Sequence, residues 1–151
     1  MKVLIALDES PVSARAARVA ARLFAGCDPD FLVINVATIH IPWMTAGGYG
    51  TVAPLPADPH WPEPVDEQDE ALLAERAEQA GVPDPEVITT SGDAVSMICS
   101  AAEAHHVDVI VVGSHDKSAL RRLFDPSVAS GVVRDSYRPV LVVSGTPPSD
   151  P

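Results

Sequence analysis

The chain alternates short, continuous apolar runs with segments that have the spacing of amphipathic helices. Four apolar runs and one more polar run read as strands: residues 2–7, 31–37, 86–90 (the polar one), 107–112 and 139–144. Strands without polar alternation are buried on both faces, which is typical of a parallel sheet covered by helices on both sides. The intervening helices supply the right-handed crossovers that parallel strands need. The pattern predicts a single doubly wound α/β domain with a five-stranded parallel sheet.

The predicted helices have clear start and stop signals. Ser10 is the expected N-cap of the first helix, Pro11 its first residue, and Gly26 its end. Its core face is predicted to hold Val12, Ala16, Val19, Ala20 and Leu23, and its solvent face Arg15, Arg18 and Arg22. The later helices are predicted at residues 66–80 (with Leu72, Leu73, Ala77 and Ala80 inward), from Gly92-Asp93 to near His105 (with Val95, Ile98, Cys99 and Ala102 inward), and from the cap Ser127 to about Ser136.

One long segment interrupts the alternation. Residues 38–65 hold several of the chain's 15 prolines and a glycine cluster, so neither an uninterrupted helix nor a central strand is expected there. Loops of this length are usually functional. Trp43, Tyr49 and Trp61 lie in it, and they are predicted to cover the strand ends, to meet a protein partner, or to pack on their own domain. The domain is predicted to span residues 1–145, followed by a flexible tail at 146–151.

Charge and cysteine content exclude several classes of protein. The formal net charge is −11, which opposes sequence-independent binding to nucleic acid or to an anionic membrane. No apolar run approaches the roughly 18 residues of a membrane span, and the opening run is too short for a secretory signal, so a cytoplasmic protein is expected. Cys27 and Cys99 have no metal-ligand spacing and are predicted to be small buried side chains, with a disulfide left open.

Four segments, in order and at matching spacing, carry a family resemblance. They are Val3-Leu4-Ile5-Ala6-Leu7-Asp8-Glu9-Ser10, Gly92-Asp93-Ala94, the stretch from Ala104 to Ser114, and Arg138-Pro139-Val140-Leu141-Val142-Val143. Together they resemble the universal stress protein family over nearly the whole chain. The resemblance implies a Rossmann-like fold with strand order 3-2-1-4-5, and a homodimer formed through the last strand, Val140 to Val143. It also implies a stress-response regulatory or protective role without enzymatic turnover.

The family's nucleotide-binding members resemble one another in a glycine motif after the fourth strand: Gly, two residues, Gly, nine residues, Gly, then Ser or Thr. Such glycines let the backbone approach phosphates, and N–H groups at the next helix start bind them. Gly113 matches the first glycine and Ser127 the final hydroxyl residue, but Asp116 and Pro126 stand at the other two glycine positions. Pro126 has no N–H to donate. A carboxylate at Asp116 would repel a polyphosphate by about 4 kcal/mol per charge pair near 4 Å, unless a divalent ion bridged them.

The resemblance also implies site residues. Asp8 corresponds to a contact with ribose or adenine, Val36 to the adenine ring, and Ser127 to a phosphate donor, while Gly113, Ser114 and Val128 complete the predicted cofactor-binding set. A purely structural role is the alternative for three of these residues: Asp8 as the cap of the following turn, Val36 as an ordinary core residue, and Ser127 as a helix N-cap. His115 is either a phosphate contact or a surface side chain. No catalytic or metal-binding residues are predicted.

Two functions remain open at this point. The degraded motif favours a dimeric interaction module with weak or no ATP binding and no resident cofactor. The alternative is a nucleotide-sensing module that binds ATP, with or without Mg²⁺, or a related adenine nucleotide at the carboxyl ends of strands 1, 2 and 4. A phospho-receiver domain is disfavoured, because Thr89-Thr90 and Ser144 stand where such a domain needs Asp and Lys.

Overall fold

The computed structural model describes residues 1–37, 67–115 and 127–145. The strands are β1 (Lys2–Ala6), β2 (Asp30–Ala37), β3 (Glu86–Ser91), β4 (Val109–Ser114) and β5 (Val140–Ser144). The helices are α1 (Pro11–Phe24), α2 (Glu67–Gln79), α3 (Ala94–Ala104) and α4 (Val128–Asp135), with a 3₁₀ turn at Ala25–Cys27. The long loop with Trp43, Tyr49 and Trp61, the motif positions Asp116 and Pro126, and the tail lie outside the described residues.

The described strands form one parallel sheet of five strands in the order β3-β2-β1-β4-β5. In the centre of the sheet, Leu4 of β1 pairs with Leu32 of β2 on one side and with Ile110 of β4 on the other. The order reverses between β1 and β4, and in sheets of this type a crevice for ligands opens at that switch, beyond the carboxyl ends of the strands. The predicted fold class and strand order are confirmed.

Two apolar cores lie on opposite faces of this sheet. Alternate strand residues such as Ile5 and Val111 pack with α1 and α2, and their neighbours such as Leu4 and Ile110 pack with α3 and α4. All four of these side chains are fully buried. Each such side chain contributes about 1.5–3 kcal/mol relative to an exposed one. The continuous apolar runs of the sequence therefore have a direct cause, since both faces of each central strand are covered.

The predicted helix boundaries hold with small changes. Ser10 caps α1, with its hydroxyl accepting from the Ser13 N–H, and Pro11 is the first helical residue. Gly81, at φ +86°, lies just after α2 as a C-terminal glycine should. The fourth strand begins later than predicted, at Val109, because Val107 still takes part in the turn that follows α3. There, His106 adopts a left-handed φ of +53° and Val107 donates its N–H to the Ala102 carbonyl at 3.0 Å.

Three burial predictions were wrong. Leu23 is 61% exposed and Leu72 is 47% exposed, although both were assigned to helix core faces. The buried face of α1 is instead narrow and consists of small side chains, because the helix lies close to β4. These side chains are Ser13, Ala16, Ala17 and Ala20. Cys27 is exposed in the 3₁₀ turn, whereas Cys99 is partly buried. Among the described helices, none is long and apolar enough to cross a membrane.

Candidate functional site

A cavity of about 510 Å³ opens at the carboxyl edge of the sheet, at the switch in strand order. Its volume lies within the range of small-molecule sites. Its walls come from the ends of β1, β2 and β4 and from the N-termini of α1, α3 and α4. The lining residues are Ala6, Leu7, Asp8, Ser10, Ser13, Ile34, Val36, Ala94, Ile98, Val112, Gly113, Ser114, His115, Ser127, Val128 and Ala129.

The structure brings all the sequence-predicted site residues together around this cavity. They are Asp8, Val36, Gly113, Ser114, Ser127 and Val128. They are widely separated in sequence, yet each lies in the last residues of a strand, just after a strand, or at the start of a helix, at the same edge of the sheet. His115 also lines the cavity. The prediction did not include Ser10, Ser13, Ile34 or Ile98 in the site, although their positions next to strand ends or on inward helix faces were readable from the sequence.

Asp8 is anchored by the first turn of α1. Its Oδ1 accepts hydrogen bonds from the Ser10 N–H at 2.8 Å and from the Ser13 hydroxyl at 2.6 Å. In return, the Ser13 oxygen accepts from the Asp8 N–H at 3.1 Å. Ser13 is itself buried, although it is polar. Asp8 therefore caps the turn before α1, which was one of the alternatives that the sequence offered. The same hydrogen bonds hold its carboxylate at the cavity wall.

The surroundings of Asp8 favour its charged form. Partial burial raises the pKa of the carboxyl, but the hydrogen bonds from Ser10 and Ser13 outweigh that effect, and positive charge on His115 acts in the same direction as the hydrogen bonds. The pKa of Asp8 therefore lies below its ordinary value. At neutral pH the cavity carries a fixed negative charge beside β1, which can accept hydrogen bonds but repels a second anion close to it.

The strand ends around Asp8 are held in place by backbone and amide contacts. The Leu7 N–H donates to the Ile34 carbonyl at 2.9 Å, and the Asn35 side-chain amide donates to the Leu7 carbonyl at 2.8 Å. These bonds extend the pairing of β1 and β2 past the last residue of β1. Val36 follows on β2, half-buried against the core formed with α3 and α4. It is thus both a core contact and a cavity wall.

Gly113 has a steric reason to be glycine that the sequence did not reveal. A Cβ at this position would lie 2.8 Å from Cγ1 of Val12 and 3.0 Å from the Val12 carbonyl carbon and oxygen. Real Cβ contacts do not approach backbone this closely without a shift of the helix. The glycine therefore lets the first turn of α1 pack directly on the end of β4. This close approach also brings Ser10 and Ser13 to the cavity.

Ser127 is the N-cap of α4. Its Oγ accepts from the Ser130 N–H at 3.2 Å and lies 2.8 Å from the Ser130 hydroxyl oxygen. The same helix packs tightly on α3, since a Cβ on Gly131 would lie 2.5 Å from Cγ2 of Val95. The N-cap alternative for Ser127 is confirmed. The contact of α4 with α3 sets the position of Ser127 and Val128 at the cavity.

Three helix N-termini thus meet at one cavity. Ser10 and Ser13 come from α1, Ala94 from α3, and Ser127 with Val128 from α4. Each helix start carries a partial positive charge and presents N–H groups that the helix itself does not use. The lining also has an aliphatic part, from Ile34, Val36, Ile98 and Val112. Within the described residues, no group of three or more His, Cys, Asp or Glu side chains is placed to hold a metal ion.

Comparison with known proteins identifies the family. The family profile described as the universal stress protein family matches residues 1–144. The chain belongs to the universal stress protein family. A universal stress protein of Methanocaldococcus jannaschii is 44% identical over 46 residues, a stretch that covers 30% of this chain and 28% of that relative. The match to this curated relative therefore spans less than a third of its length.

Solved structures of universal stress proteins share the fold. One in complex with cAMP superposes with a TM-score of 0.66 at 20% identity, covering 97% of this chain and 98% of that one. An Arabidopsis thaliana family protein with AMP bound gives a TM-score of 0.61 at 18% identity, with 97% and 92% covered. The M. jannaschii protein gives 0.61 at 20% identity, with 97% and 96% covered. At these identities the likeness shows the fold.

Proposed function

We propose that this universal stress protein is a regulatory module that binds an adenine nucleotide with a single phosphate, and binds ATP weakly or not at all. The observation that carries the proposal is the convergence of three helix N-termini on a cavity whose lining also has an aliphatic part. Positive helix ends favour a phosphate, and an aliphatic wall favours the flat face of a base. Two structural relatives described by their complexes with cAMP and AMP support the same ligand class.

Each part of such a ligand has a matching wall. The base would lie against Val36 and the neighbouring aliphatic side chains at the end of β2. The ribose hydroxyls would donate to the Asp8 carboxylate, which its own hydrogen bonds keep charged. The phosphate would lie at the start of α4, next to Ser127 and Val128, away from that charge. In this arrangement Asp8, the only described carboxylate that lines the cavity, accepts from the ribose hydroxyls.

The sequence at two positions of the glycine motif argues for one phosphate instead of three. Asp116 directly follows His115, and Pro126 directly precedes Ser127, and both neighbours line the cavity. Proline offers no N–H to a β- or γ-phosphate. A carboxylate near a polyphosphate costs about 4 kcal/mol per charge pair at 4 Å, half of a micromolar binding free energy of about 8 kcal/mol. The α-phosphate needs neither position.

Thermal stabilisation by a panel of nucleotides tests the proposal. AMP and cAMP at about 1 mM are expected to raise the melting temperature by several degrees, and ATP by clearly less, because ligand binding to the native state stabilises it. Val36→Trp is expected to fill the cavity and abolish the shift. Val133→Trp, at a side chain of α4 that is 46% exposed, is the matched control and should keep it. Equal shifts in wild type and Val36→Trp would contradict binding at this cavity.

A second proposed property is a homodimer formed through β5. Among the described strands, β5 pairs with β4 alone, and its side chains from Val140 to Val142 are half-buried and apolar. An apolar edge of this kind is a template for pairing with a second strand. Light scattering of Val142→Lys should give a monomer, whereas Val87→Lys on the opposite edge strand β3 should not change the mass. A partner at the aromatic loop and a cytoplasmic location remain predictions from the sequence.

A further inference from the structure

A second groove, separate from the nucleotide cavity, runs along the outer face of α1. It encloses about 440 Å³ and is lined by Arg15, Arg18 and Arg22 together with the apolar side chains of Val12 and Val19. Gly145, at the end of β5, closes one side. None of the three arginines lines the nucleotide cavity. The groove therefore combines apolar side chains with a row of positive charge.

The α1 arginines differ from the other described arginines in having no acidic partner among the described residues. Arg76 pairs with Glu9 at 3.0 Å, Arg134 with Asp135 at 2.7 Å, and Arg138 with Glu103 at 3.1 Å. In a chain of net charge −11, acids are abundant and such pairs form readily. The cluster on α1 is thus a positive surface that no described acidic residue pairs with, on an acidic protein.

Two of these arginines have Nε groups that engage no carboxylate among the described residues. Arg15 Nε is buried and has no hydrogen-bond partner in the described part of the chain. Arg18 Nε donates only to the carbonyl of Ala14 in its own helix, at 3.4 Å. Buried donors in native proteins are almost always satisfied, and the guanidinium group suits carboxylates through paired N–H donors. The Arg15 Nε therefore lacks an acceptor within the described residues, and the three guanidinium groups lack a carboxylate partner there.

The spacing of the charges selects among anionic partners. Arg15 and Arg22 are seven residues apart, which is about 10 Å along a helix. A single small anion can meet only part of that row, whereas about three to four residues of an extended acidic peptide span it at 3.3 Å per residue. Nucleic acid is disfavoured because the chain as a whole is strongly negative. We propose that the α1 groove docks an acidic segment of a partner protein through Arg15, Arg18 and Arg22.

Calorimetric titration with a defined peptide tests this docking surface. The probe is an octapeptide that alternates glutamate with serine, acetylated and amidated, in about 50 mM NaCl, and the full chain is expected to bind it with a Kd below about 1 mM. The triple variant Arg15→Gln, Arg18→Gln, Arg22→Gln should weaken binding at least about tenfold. The matched triple Arg76→Gln, Arg134→Gln, Arg138→Gln removes the same charge from paired arginines and should change it less than about threefold.

Several outcomes would overturn the proposal. Equal losses in the two triple variants would mean that net charge alone drives binding. A glutamine–serine peptide that binds as well would remove the role of the carboxylates, and no binding by wild type would mean that the groove is not open to a partner. A fall in oligomer mass in the α1 triple variant would assign the face to a second copy of the chain. Melting temperatures of both triple variants within a few degrees of wild type confirm that each is folded.

Discussion

The two ends of the same sheet are built from different interactions. At the amino ends of the strands, carboxylates accept hydrogen bonds: the Lys2 backbone N–H donates to the Asp108 carboxylate at 2.8 Å, and Arg138 forms two hydrogen bonds with Glu103, both at 3.1 Å. At the carboxyl ends, small and hydroxyl residues surround a cavity, and the acid there accepts from hydroxyl and backbone groups. The amino end is held by a charged hydrogen bond and an ion pair, whereas a cavity opens at the carboxyl end.

This difference follows from the direction of the chain. In a parallel sheet with crossover helices, the helix C-termini lie at the amino ends of the strands and the helix N-termini at the carboxyl ends. Surface ion pairs at the first end contribute about 0–1 kcal/mol each and have no ligand to bind. The positive helix starts at the second end favour an anion, and no described lysine or arginine lines the cavity there. A change at the amino end is therefore expected to leave binding at the cavity intact.

The largest effect is expected at Gly113, where the carboxyl end of the sheet depends on close packing. Gly113→Ala would bring a Cβ to within about 3 Å of the Val12 backbone and should lower the free energy of unfolding by about 1–3 kcal/mol, measured by urea unfolding. Gly26→Ala is the control, because no atom lies within 4 Å of a Cβ built there. It should be neutral or slightly stabilising. Equal losses in the two variants would contradict the packing argument.

Restoring the glycine motif should change ligand preference without changing the rest of the cavity. The double variant Asp116→Gly, Pro126→Gly removes a negative charge and returns a backbone N–H, so ATP affinity is expected to rise at least about tenfold, or about 1.4 kcal/mol. AMP affinity should change less than about threefold. Calorimetry with both nucleotides measures this. An unchanged ATP affinity would mean that these positions do not set the number of phosphates accepted.

Asp8 provides a test that depends on pH. Since its folded-state pKa lies below the ordinary value of 3.8, its stabilising effect is fully present above about pH 4 and is lost as pH falls through the folded pKa. Asp8→Asn should therefore cost about 1 kcal/mol at neutral pH, and the difference from wild type should shrink below about pH 4. Unfolding curves at pH 7 and pH 3 measure it. A difference that stays constant with pH would show that the charge has no role.

The smallest effect is expected at the amino end of the sheet. Glu103→Gln breaks the exposed pair with Arg138 and should cost less than about 1 kcal/mol. Because this pair lies at the far end of the sheet from the cavity, AMP affinity should not change. A large loss of AMP binding in this variant would contradict the separation of the two ends.

Much of this architecture was predictable from the sequence. The strand order followed from the family resemblance, and the site residues from Asp8 to Val128 were expected at one edge because parallel strands end together. Helix caps at Ser10 and Ser127 were readable from residue type and position. These features depend on local patterns and on the topology of parallel sheets, both of which the sequence records directly.

Other features depend on distances that no local pattern encodes. The steric need for glycine at Gly113 arises from Val12, about a hundred residues away in the chain, and the burial of Ser13 arises from its bonds with Asp8. Leu23 has the helical spacing of a core residue, yet α1 approaches the sheet through its alanines, so Leu23 stays exposed. The sequence likewise does not show which arginines lack an acidic partner among the described residues, because this depends on where the acidic side chains lie in the fold.

The most direct test of the account is a pair of titrations, AMP and ATP without Mg²⁺, into the same wild-type protein by isothermal calorimetry. AMP is expected to have a dissociation constant at least about tenfold below that of ATP, because the sequence has a carboxylate at Asp116 and a residue without an N–H at Pro126 where the glycine motif has glycines. ATP binding as tight as AMP, or no binding of either nucleotide below about 1 mM, would contradict it.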